Sequence, residues 1–463
     1  MTEPEHYDAL IIGSGEGGKF MARHLGKSGR RTAVVERRWI GGSCPNINCL
    51  PSKNEVWSAK VAQLARSGAK FGTMTGGVSV DMAQVRRRKR EMVEGLIERH
   101  LKAYKSSGAE LIMGSARFTG ARNVEVALNE GGTRLLTAER LYLNLGTHPA
   151  MPEIPGLAEA APMSNIEALE LDRLPEHLIV LGGSYVGLEL GQAYRRFGSR
   201  VTVIEPGSQI MSREDGDVAA EVQRILTEEG IHFQISAEVG HVEGRSGDRV
   251  QLLLRSAGGE QVIEGSDILV AAGRMPNTTG IGLELAGVEL DDRGYIKVND
   301  RLETSAPGIW GIGEGAGSPQ FTHVSYDDYR VIRENLDGRA RSTKGRLVPY
   351  CMFTDPQLAR VGLSESEAQR QGVAVRVARM PMSDNLRAQT IGETQGFLKA
   401  LIGRDDDRIL GFTMIGPEAG EVLATVQTAM LGGMPYTALR DAILAHPTMT
   451  EGLTDLFSRV PPR

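Results

Sequence analysis

A strand–glycine turn–helix–strand pattern occurs twice in this chain and constrains its fold more than any other feature. The first copy spans residues 7–36 and the second spans residues 177–205, and in each the second strand ends in a glutamate. This is the βαβ unit that binds a dinucleotide, with the pyrophosphate at the N-terminus of the helix. Two copies therefore predict an α/β fold with two Rossmann-like dinucleotide-binding domains.

The first glycine turn is Gly13-Ser14-Gly15-Glu16-Gly17-Gly18, which fits G-x-G-x-x-G. Gly13 permits the tight turn, Gly15 lets the backbone approach a pyrophosphate, and Gly18 allows the helix to pack against the strand. Glu36 ends the second strand, where a carboxylate accepts hydrogen bonds from ribose hydroxyls. We predict that these four residues bind a cofactor.

Two cysteines lie shortly after the first unit, in Gly41-Gly42-Ser43-Cys44-Pro45-Asn46-Ile47-Asn48-Cys49. The chain has only 3 cysteines among 463 residues, which is unlike a secreted disulfide framework. Cysteines five positions apart can close a small redox disulfide, and in the cytosol such a pair is typical of catalysis. If Cys49 begins a helix, its thiolate is stabilised there.

Charge and hydropathy exclude several classes of protein. The formal net charge is −5, which disfavours a general nucleic-acid binder. The sequence lacks both the basic start and apolar run of a signal peptide and a spanning stretch of ~20 apolar residues. We therefore expect a cytoplasmic protein that binds neither membranes nor nucleic acid.

The rest of the chain divides into a helix and a separate C-terminal region. Residues 85–104 have helical periodicity, and the basic run at 86–90 is interpreted as a solvated helix face rather than a phosphate patch. Residues 339–346 have the composition of a linker. Beyond it, strand-like runs at 397–402 and 409–414 and a helical run at 419–431 predict an α+β domain.

With these motifs in place, nearly the whole chain resembles the FAD-dependent pyridine nucleotide–disulfide oxidoreductases. That family includes dihydrolipoyl dehydrogenase, glutathione reductase and mercuric reductase. The segment from Gly41 to Lys53 resembles the family's active-site helix. The other resembling segments are Leu145-Gly146-Thr147 with Ile154-Pro155-Gly156, Ala272–Asn277, Thr304–Glu314, Val348–Pro356 and Ala445–Glu451.

The resemblance implies catalytic roles. Cys44 corresponds to the thiol that attacks the substrate and Cys49 to the thiol beside the flavin. His446 corresponds to the acid–base residue, oriented by Glu451, which acts on the disulfide of the other subunit, so a homodimer is implied. Such a pair is chemically apt, because the histidine pKa lies near neutrality and a carboxylate fixes the tautomer.

Further roles follow from the same resemblance. Lys53 corresponds to the lysine near flavin N5, with Glu189 as its ion-pair partner, and Tyr185 to the aromatic residue that covers the flavin until nicotinamide enters. The implied architecture is glutathione-reductase-like, with FAD bound by residues 1–150 and 275–345, NAD(P) by 151–274, and a dimerisation domain at 346–463. The additional cofactor-binding residues expected are Ser43, Ala116, Gly146, Glu314, Gly182, Ser184, Gly187, Glu205 and Gly273.

The second unit would then hold the nicotinamide nucleotide. Ser184 stands at the second glycine position, where its Cβ is expected to crowd the pyrophosphate and weaken binding. Glu205 accepts from a 2′-hydroxyl and repels a 2′-phosphate, which favours NADH over NADPH. Arg213 is close enough in sequence to blur that preference.

The sequence leaves the substrate open. Glu314 stands where the family usually has Asp, and Tyr326–Tyr329 replaces the usual small residues. The latter stretch is similar to reactive-chlorine-resistance flavoproteins, for which copper reduction has been proposed. The leading expectation is reduction of a disulfide or oxidation of a dithiol such as dihydrolipoamide. The alternatives are reduction of mercuric or copper ions, or a non-catalytic redox sensor or complex-bound flavoprotein. No resident metal site is expected.

Overall fold

The structure, a computed structural model, describes residues 3–463. It divides into two compact units. The first unit comprises the chain up to Glu55 together with Ala83–Ala150 and Gly273–Arg346, and the second comprises Val56–Met82, Met151–Ala272 and Leu347–Arg463. No helix among the described residues is both long and apolar enough to cross a membrane.

Residues 3–150 contain six strands and four α-helices. In chain order these are β1 (Glu5–Ile12), α1 (Glu16–Lys27), β2 (Thr32–Glu36), α2 (Ser43–Asn46), α3 (Cys49–Ser67), α4 (Met82–Ser107), β3 (Glu110–Phe118), β4 (Asn123–Leu128), β5 (Thr133–Leu143) and β6 (Thr147–Pro149).

Strand β1 lies at the centre of the first sheet. It pairs in parallel with β2 and β5, β3 pairs in parallel with β2, and β4 lies antiparallel to β3 and β5. Alternate residues of β1 enter two different cores, Leu10 and Ile12 on one face and Ala9 and Ile11 on the other. Burial on both faces explains why the end of the strand, residues 9–12, is a continuous apolar run.

Helix α4 contains the predicted helical segment and extends beyond it at both ends. The expectation of a fully solvated basic run is wrong for Lys89. Its side chain is 1% exposed and lies 3.6 Å from the carboxylate of Glu55, because a buried charge needs a partner.

Residues 165–270 contain a second βαβ arrangement. The elements of this stretch are α5 (Asn165–Ala168), β7 (His177–Leu181), α6 (Tyr185–Phe197), β8 (Arg200–Glu205), α7 (Gly216–Glu228), β9 (Ile231–Ile235), β10 (Glu238–Arg245), β11 (Arg249–Ser256), β12 (Gly259–Gly265) and β13 (Asp267–Val270). The parallel sheet has the order β13–β7–β8–β9, and β10–β11–β12 form an antiparallel sheet. The second predicted βαβ unit is therefore β7–α6–β8.

The chain then returns to the first unit through β14 (Arg274–Pro276), β15 (Ile309–Gly311) and α8 (Thr322–Leu336). Strand β14 pairs with β6, and β15 pairs in parallel with β5. The predicted linker has no regular structure, but it is not free. Arg341 and Arg346 lie 2.6 Å from Asp327 and Asp328 of α8, respectively.

The C-terminal region is α+β. Its elements are β16 (Tyr350–Met352), β17 (Gln357–Gly362), α9 (Glu365–Arg370), β18 (Val375–Pro381), α10 (Leu386–Ile391), β19 (Phe397–Gly403), β20 (Ile409–Gly416), α11 (Ala419–Leu431), α12 (Tyr436–Arg440) and α13 (Gly452–Ser458). The five strands form an antiparallel sheet in the order β16–β17–β20–β19–β18. Met380, Phe412, Val426 and Leu453 are all less than 1% exposed in its core.

Candidate active site

The first glycine turn is shaped by Asn144, which follows β5. A Cβ on Gly13 would overlap the Asn144 carbonyl oxygen, and one on Gly15 would lie 2.5 Å from its side-chain oxygen. That oxygen accepts from the Gly18 N–H at 3.0 Å, and the side-chain amide donates to the carbonyl of Ile312 at 3.0 Å. The N-cap residue of α1, Gly15, makes no side-chain capping hydrogen bond. Such a cradle fits a pyrophosphate at the helix N-terminus.

Glu36 is buried, and each of its carboxylate oxygens accepts two hydrogen bonds at this turn. One carboxylate oxygen accepts from the Ser14 N–H and hydroxyl at 2.9 and 2.7 Å, and the other accepts from the Arg38 and Trp39 N–H groups at 2.8 and 2.9 Å. A carboxylate has about four acceptor sites. Glu36 therefore fixes the backbone around the turn, and a ribose hydroxyl would have to share one of these positions.

The cysteine segment lies against the first glycine turn. Gly42 has φ +83°, and a Cβ there would lie 2.5 Å from the Cα of Gly15. Cys44 follows on α2, and α3 begins at Cys49. Both cysteines are half-buried thiols. Cys49 Sγ lies 3.3 Å from the hydroxyl of Thr322, a contact that the sequence did not predict.

Hydrogen bonding between the two thiols affects the ionisation of Cys44. A hydrogen bond with Cys49 raises the pKa of Cys44 well above its usual range, and burial and the charge of Cys49 raise it further. A thiolate at the start of a helix is favoured. The raised pKa favours the protonated form of Cys44, and the start of α3 is a position that suits a thiolate.

Glu314 is positioned by the strand pair β6 and β14. Thr147 Oγ1 donates to Glu314 at 2.6 Å, and Arg274 Nε donates to the same hydroxyl at 2.6 Å. Burial lowers the pKa of Arg274. Gly146 and Gly273 flank this strand pair with φ of +65° and +115°, backbone conformations that favour glycine.

The unusual segment Tyr326–Tyr329 also contributes to this region. Asp328 is completely buried and accepts from the Gly313 N–H at 2.8 Å and from Arg346 Nη1 at 2.6 Å. The aspartate therefore fixes the turn immediately before Glu314, a role that the sequence analysis did not assign.

Three further predicted residues of the first unit lie at separate positions. Ser43 begins α2 and is half-buried, and Ala116 packs from β3 against the core that contains Leu10. Lys53 lies on α3 with Nζ 3.4 Å from the hydroxyl of Ser52. Their contacts to a cofactor stay predictions.

The second glycine turn differs from the first in its acidic residue. Gly182 has φ +110°, and a Cβ there would lie 2.5 Å from the Ala271 carbonyl oxygen, whereas one on Gly187 would overlap the Gly182 oxygen. Among the described residues, Glu205 accepts one N–H on each oxygen, from Gly183 and from Gly207, both at 2.8 Å. Unlike Glu36, Glu205 therefore retains acceptor capacity for ribose hydroxyls.

Ser184 is the N-cap residue of α6. Its backbone is extended, with φ −108°, and its side chain is exposed and makes no capping hydrogen bond. The hydroxyl is therefore available to a phosphate, while the predicted crowding by its Cβ stays a prediction.

Tyr185 and Glu189 lie on successive turns of α6. The Tyr185 hydroxyl donates to Glu214 at 2.7 Å. Glu189 is 6% exposed and accepts from the Phe353 N–H at 2.7 Å. Lys53 belongs to the first unit and Glu189 to the second, and their predicted ion pair stays a prediction.

His446 and Glu451 form a hydrogen-bonded pair in the second unit. His446 Nδ1 lies 2.8 Å from Glu451 Oε1, and the His446 side chain is 64% exposed. This hydrogen bond lowers the pKa of Glu451, and the Thr448 N–H donates to its other oxygen at 3.2 Å. A carboxylate on Nδ1 fixes the tautomer and directs Nε2 outward for proton transfer.

An acidic cluster in the second unit is filled by a lysine. Asp215, Asp217 and Glu365 come close enough together to bind a cation. The buried ammonium of Lys399 lies 3.0, 2.8 and 2.7 Å from them, respectively, so their charge is already compensated.

Comparison with known proteins agrees with these features. Residues 7–328 match the pyridine nucleotide-disulphide oxidoreductase family, and residues 348–457 match the dimerisation domain of that family. The latter domain supports a homodimer.

Three curated relatives cover almost the whole chain. The probable pyridine nucleotide-disulfide oxidoreductase RclA of Escherichia coli is 35% identical over 98% of this chain and 99% of its own length. Dihydrolipoyl dehydrogenase 3 of Pseudomonas aeruginosa is 35% identical over 97% of both chains. The mercuric reductase of Staphylococcus aureus is 32% identical over 96% of this chain and 81% of its own.

A solved structure is also similar to this chain over almost its whole length. The Cu(II) complex of the HOCl-induced flavoprotein disulfide reductase RclA from Escherichia coli superposes with a TM-score of 0.89, at 33% identity over 98% of this chain and 99% of that one. The predicted fold class is confirmed. The chain therefore belongs to the pyridine nucleotide-disulphide oxidoreductase family, as an FAD- and NAD(P)H-dependent oxidoreductase with a glutathione-reductase-like fold and a C-terminal dimerisation domain.

Proposed function

We propose that a homodimer of this chain uses NADH to reduce a disulfide through Cys44 and Cys49, or oxidises a dithiol such as dihydrolipoamide in the reverse direction. The observation that carries the proposal is the hydrogen-bonded pair of Cys44 and Cys49 at the start of α3, in which the pKa of Cys44 is raised. FAD, when bound, relays two electrons between the nicotinamide and this pair.

Reduction of the substrate takes two thiol–disulfide exchange steps, and these need no reagent besides the substrate and the cysteine pair. The Cys44 thiolate attacks one sulfur of the substrate disulfide, which forms a mixed disulfide and releases the first substrate thiolate. Cys49 then attacks Cys44, which closes the Cys44–Cys49 disulfide and releases the second thiolate. Each turnover moves two electrons from the cysteine pair to the substrate.

The raised pKa of Cys44 creates a need for a base. The partner subunit's His446 would take the Cys44 proton and return it to the departing substrate thiolate. Glu451 serves this step by holding Nδ1 and stabilising the protonated ring. His446 is exposed, as a residue that acts on another chain must be before assembly.

We assign the choice between NADH and NADPH to Glu205. Its oxygens each retain one acceptor position, which suits the two hydroxyls of an adenosine ribose. The carboxylate charge would repel a 2′-phosphate, so we propose a preference for NADH.

The domain boundaries belong to this proposal as well. Residues 1–150 and 275–345 would bind FAD, and 151–274 would bind the nicotinamide nucleotide. The remaining residues, 346–463, would form the dimerisation domain. The glycine turns at residues 13 and 182 support the division, because each leads into a helix whose N-cap residue makes no side-chain capping hydrogen bond.

Metal-ion reduction is the second candidate. Cys44 and Cys49 offer two soft sulfur ligands, which suit Cu(I) and Hg(II) better than hard cations. A relative is named mercuric reductase, and a similar structure is a Cu(II) complex.

A substrate panel distinguishes the candidates. NADH and NADPH oxidation would be measured with small and protein-bound disulfides, Hg²⁺ and Cu²⁺, and NAD⁺ reduction with dihydrolipoamide. We expect turnover with at least one disulfide or dithiol, which Cys44→Ser abolishes and Cys351→Ser retains, because Cys351 lies on β16 outside the pair. Turnover with metal ions alone would favour the second candidate, and turnover that survives Cys44→Ser would contradict both.

A further inference from the structure

The resemblance implies that Tyr185 covers the flavin until nicotinamide enters, and we call Tyr185 the gate. Resting on that role, we propose that Glu214 is a positioning residue, the latch, which holds the gate in its covering position through a hydrogen bond. Tyr350 and Arg360 would hold the latch in place while the gate opens. Glu214 would thereby set the affinity of the enzyme for nicotinamide nucleotides.

One carboxylate oxygen of Glu214 receives two phenol groups. Tyr185 donates to Oε1 at 2.7 Å, and the Tyr350 hydroxyl donates to the same atom. The two rings stack, with centroids 5.7 Å apart and planes inclined by 28°. The hydroxyl and the ring face of Tyr185 are thus both held by residues of the second unit.

The side chain of Glu214 is almost completely buried. Its side chain is 1% exposed, and among the described residues its Oε2 has no hydrogen-bond partner. Arg360 Nε lies 3.7 Å away, and its guanidinium lies 5.3 Å from the centre of the Tyr350 ring. The carboxylate charge is therefore compensated from the side of Tyr350 and Arg360, not only by Tyr185.

Both tyrosines are poor acids in this setting. Burial and the charge of Glu214 raise the pKa of Tyr185, and burial, Tyr185 and Glu214 raise that of Tyr350. Both hydroxyls therefore stay protonated at physiological pH and act as donors. Deprotonation of either phenol is not the step that releases the gate.

Release of Tyr185 costs free energy, but the other members of the network limit that cost. When the ring moves, Glu214 loses one charged hydrogen bond and keeps the bond from Tyr350 and the nearby Arg360. Hydrogen bonds to charged groups are stronger than neutral ones, so the latch favours the covered state. The apparent dissociation constant for a ligand that needs the open state rises as that state becomes rarer.

The first test compares two ligands on the oxidised holoenzyme by titration calorimetry. NAD⁺ carries a nicotinamide and requires the gate to move, whereas ADP-ribose lacks it and does not. Glu214→Gln replaces a charged acceptor by a neutral one of the same shape. We expect the dissociation constant for NAD⁺ to fall about threefold to tenfold, the ratio between charged and neutral hydrogen bonds, and that for ADP-ribose to stay unchanged.

The second test removes the other donor. In Tyr350→Phe, release of Tyr185 would leave Glu214 without a hydroxyl, so opening costs more and the dissociation constant for NAD⁺ should rise. Opposite shifts in the two variants distinguish a latch from general damage. Tyr194→Phe is the matched control, because its buried hydroxyl donates to the Ala168 carbonyl of the same unit and does not contact Glu214.

The outcomes separate this inference from the proposed function. Unchanged or equally changed binding of both ligands in Glu214→Gln, or a rise for NAD⁺ alone, overturns the latch. If wild-type flavin is reduced by NADH while these shifts are missing, the proposed function stands and only the latch fails. If NADH does not reduce the flavin of the wild type, the proposed function itself fails.

Discussion

At the scale of single residues, Cys49 has the most specific expected signature. Its sulfur lies 3.3 Å from Thr322 Oγ1, and α3 begins at Cys49, so negative charge is favoured on this thiol. Anaerobic NADH should give the holoenzyme a long-wavelength absorbance band from a thiolate next to the flavin. Cys49→Ser should abolish the band while FAD stays bound, and Cys351→Ser should keep it. A band that persists in Cys49→Ser rules out this assignment.

Glu205 gives a second expectation at this scale. A unit negative charge about 4 Å from a 2′-phosphate costs roughly 1 kcal/mol in water, so NADH should be preferred about fivefold to tenfold in kcat/KM. Glu205→Gln should reduce the preference, and Arg213→Ala should increase it if this exposed arginine attracts the phosphate. A wild-type preference for NADPH would show that another base overrides Glu205.

The residues that the sequence analysis identified share one property: they stand in short local motifs. The cysteine pair, the glycine turns and His446 with Glu451 can all be recognised within a few positions. Thr322, which contacts Cys49 from 273 positions away, carries no such local signal. Glu214 was missed for the same reason, since Tyr350 lies 136 positions from it.

At the scale of elements, the segment before the cysteines depends on α4. A Cβ on Gly41 would lie 2.5 Å from the ring of His100, and Arg23 Nη2 lies 2.9 Å from His100 Nδ1. Burial, followed by the charges of Lys19 and Arg23, lowers the pKa of His100 to about 4. The segment that carries Cys44 is thus supported by a histidine that is neutral at pH 7.

This shift predicts acid sensitivity. The unfolded chain binds a proton at this histidine below about pH 6.5, whereas the folded protein binds it only near pH 4. The stabilisation is therefore complete above pH 6.5 and is lost as the pH falls towards 4. Partial solvent exposure reduces the effect, and we expect about 1 kcal/mol.

Thermal unfolding of the holoenzyme between pH 7 and pH 4.5 measures this contribution. The melting temperature should fall less steeply in His100→Gln than in the wild type. His232→Gln, which changes an exposed histidine on β9, should follow the wild type. Identical pH profiles for all three proteins would contradict the assignment.

The two βαβ units and the helical runs at 85–104 and 419–431 were predicted from their patterns, whereas elements defined by pairing were not. The burial pattern of β1 and the helical run at 419–431 follow directly from the sequence. Strands β6 and β14 have three residues each and exist because they pair with one another across more than a hundred positions. Local propensity carries no such information.

At the scale of the whole molecule, α3 carries an apolar stripe suited to a subunit contact. Trp57, Val61 and Leu64 are 57%, 50% and 44% exposed and lie on one helical face. They belong to the same unit as the dimerisation domain. We expect Trp57→Glu to weaken the dimer at least tenfold by sedimentation, because a charge in an apolar interface is costly. Val262→Glu, at an equally exposed position on β12, should have no effect.

In the proposed homodimer, one subunit supplies the cysteine pair and the other supplies His446. As a homodimer, Cys44→Ser should be inactive, and His446→Ala should lose about 10²–10⁴ in turnover, the usual contribution of a positioned acid–base group. Both variants should bind FAD, and His446→Ala should still accept electrons from NADH, because that step needs no proton from His446.

Mixing the two variants tests whether the site is divided between the subunits. In a heterodimer, one site combines an intact Cys44 with the partner subunit's His446, while the other site carries both lesions. Purified heterodimers should therefore regain about half of the wild-type turnover per dimer. Heterodimers that form, bind FAD and show no more activity than either parent would contradict the account.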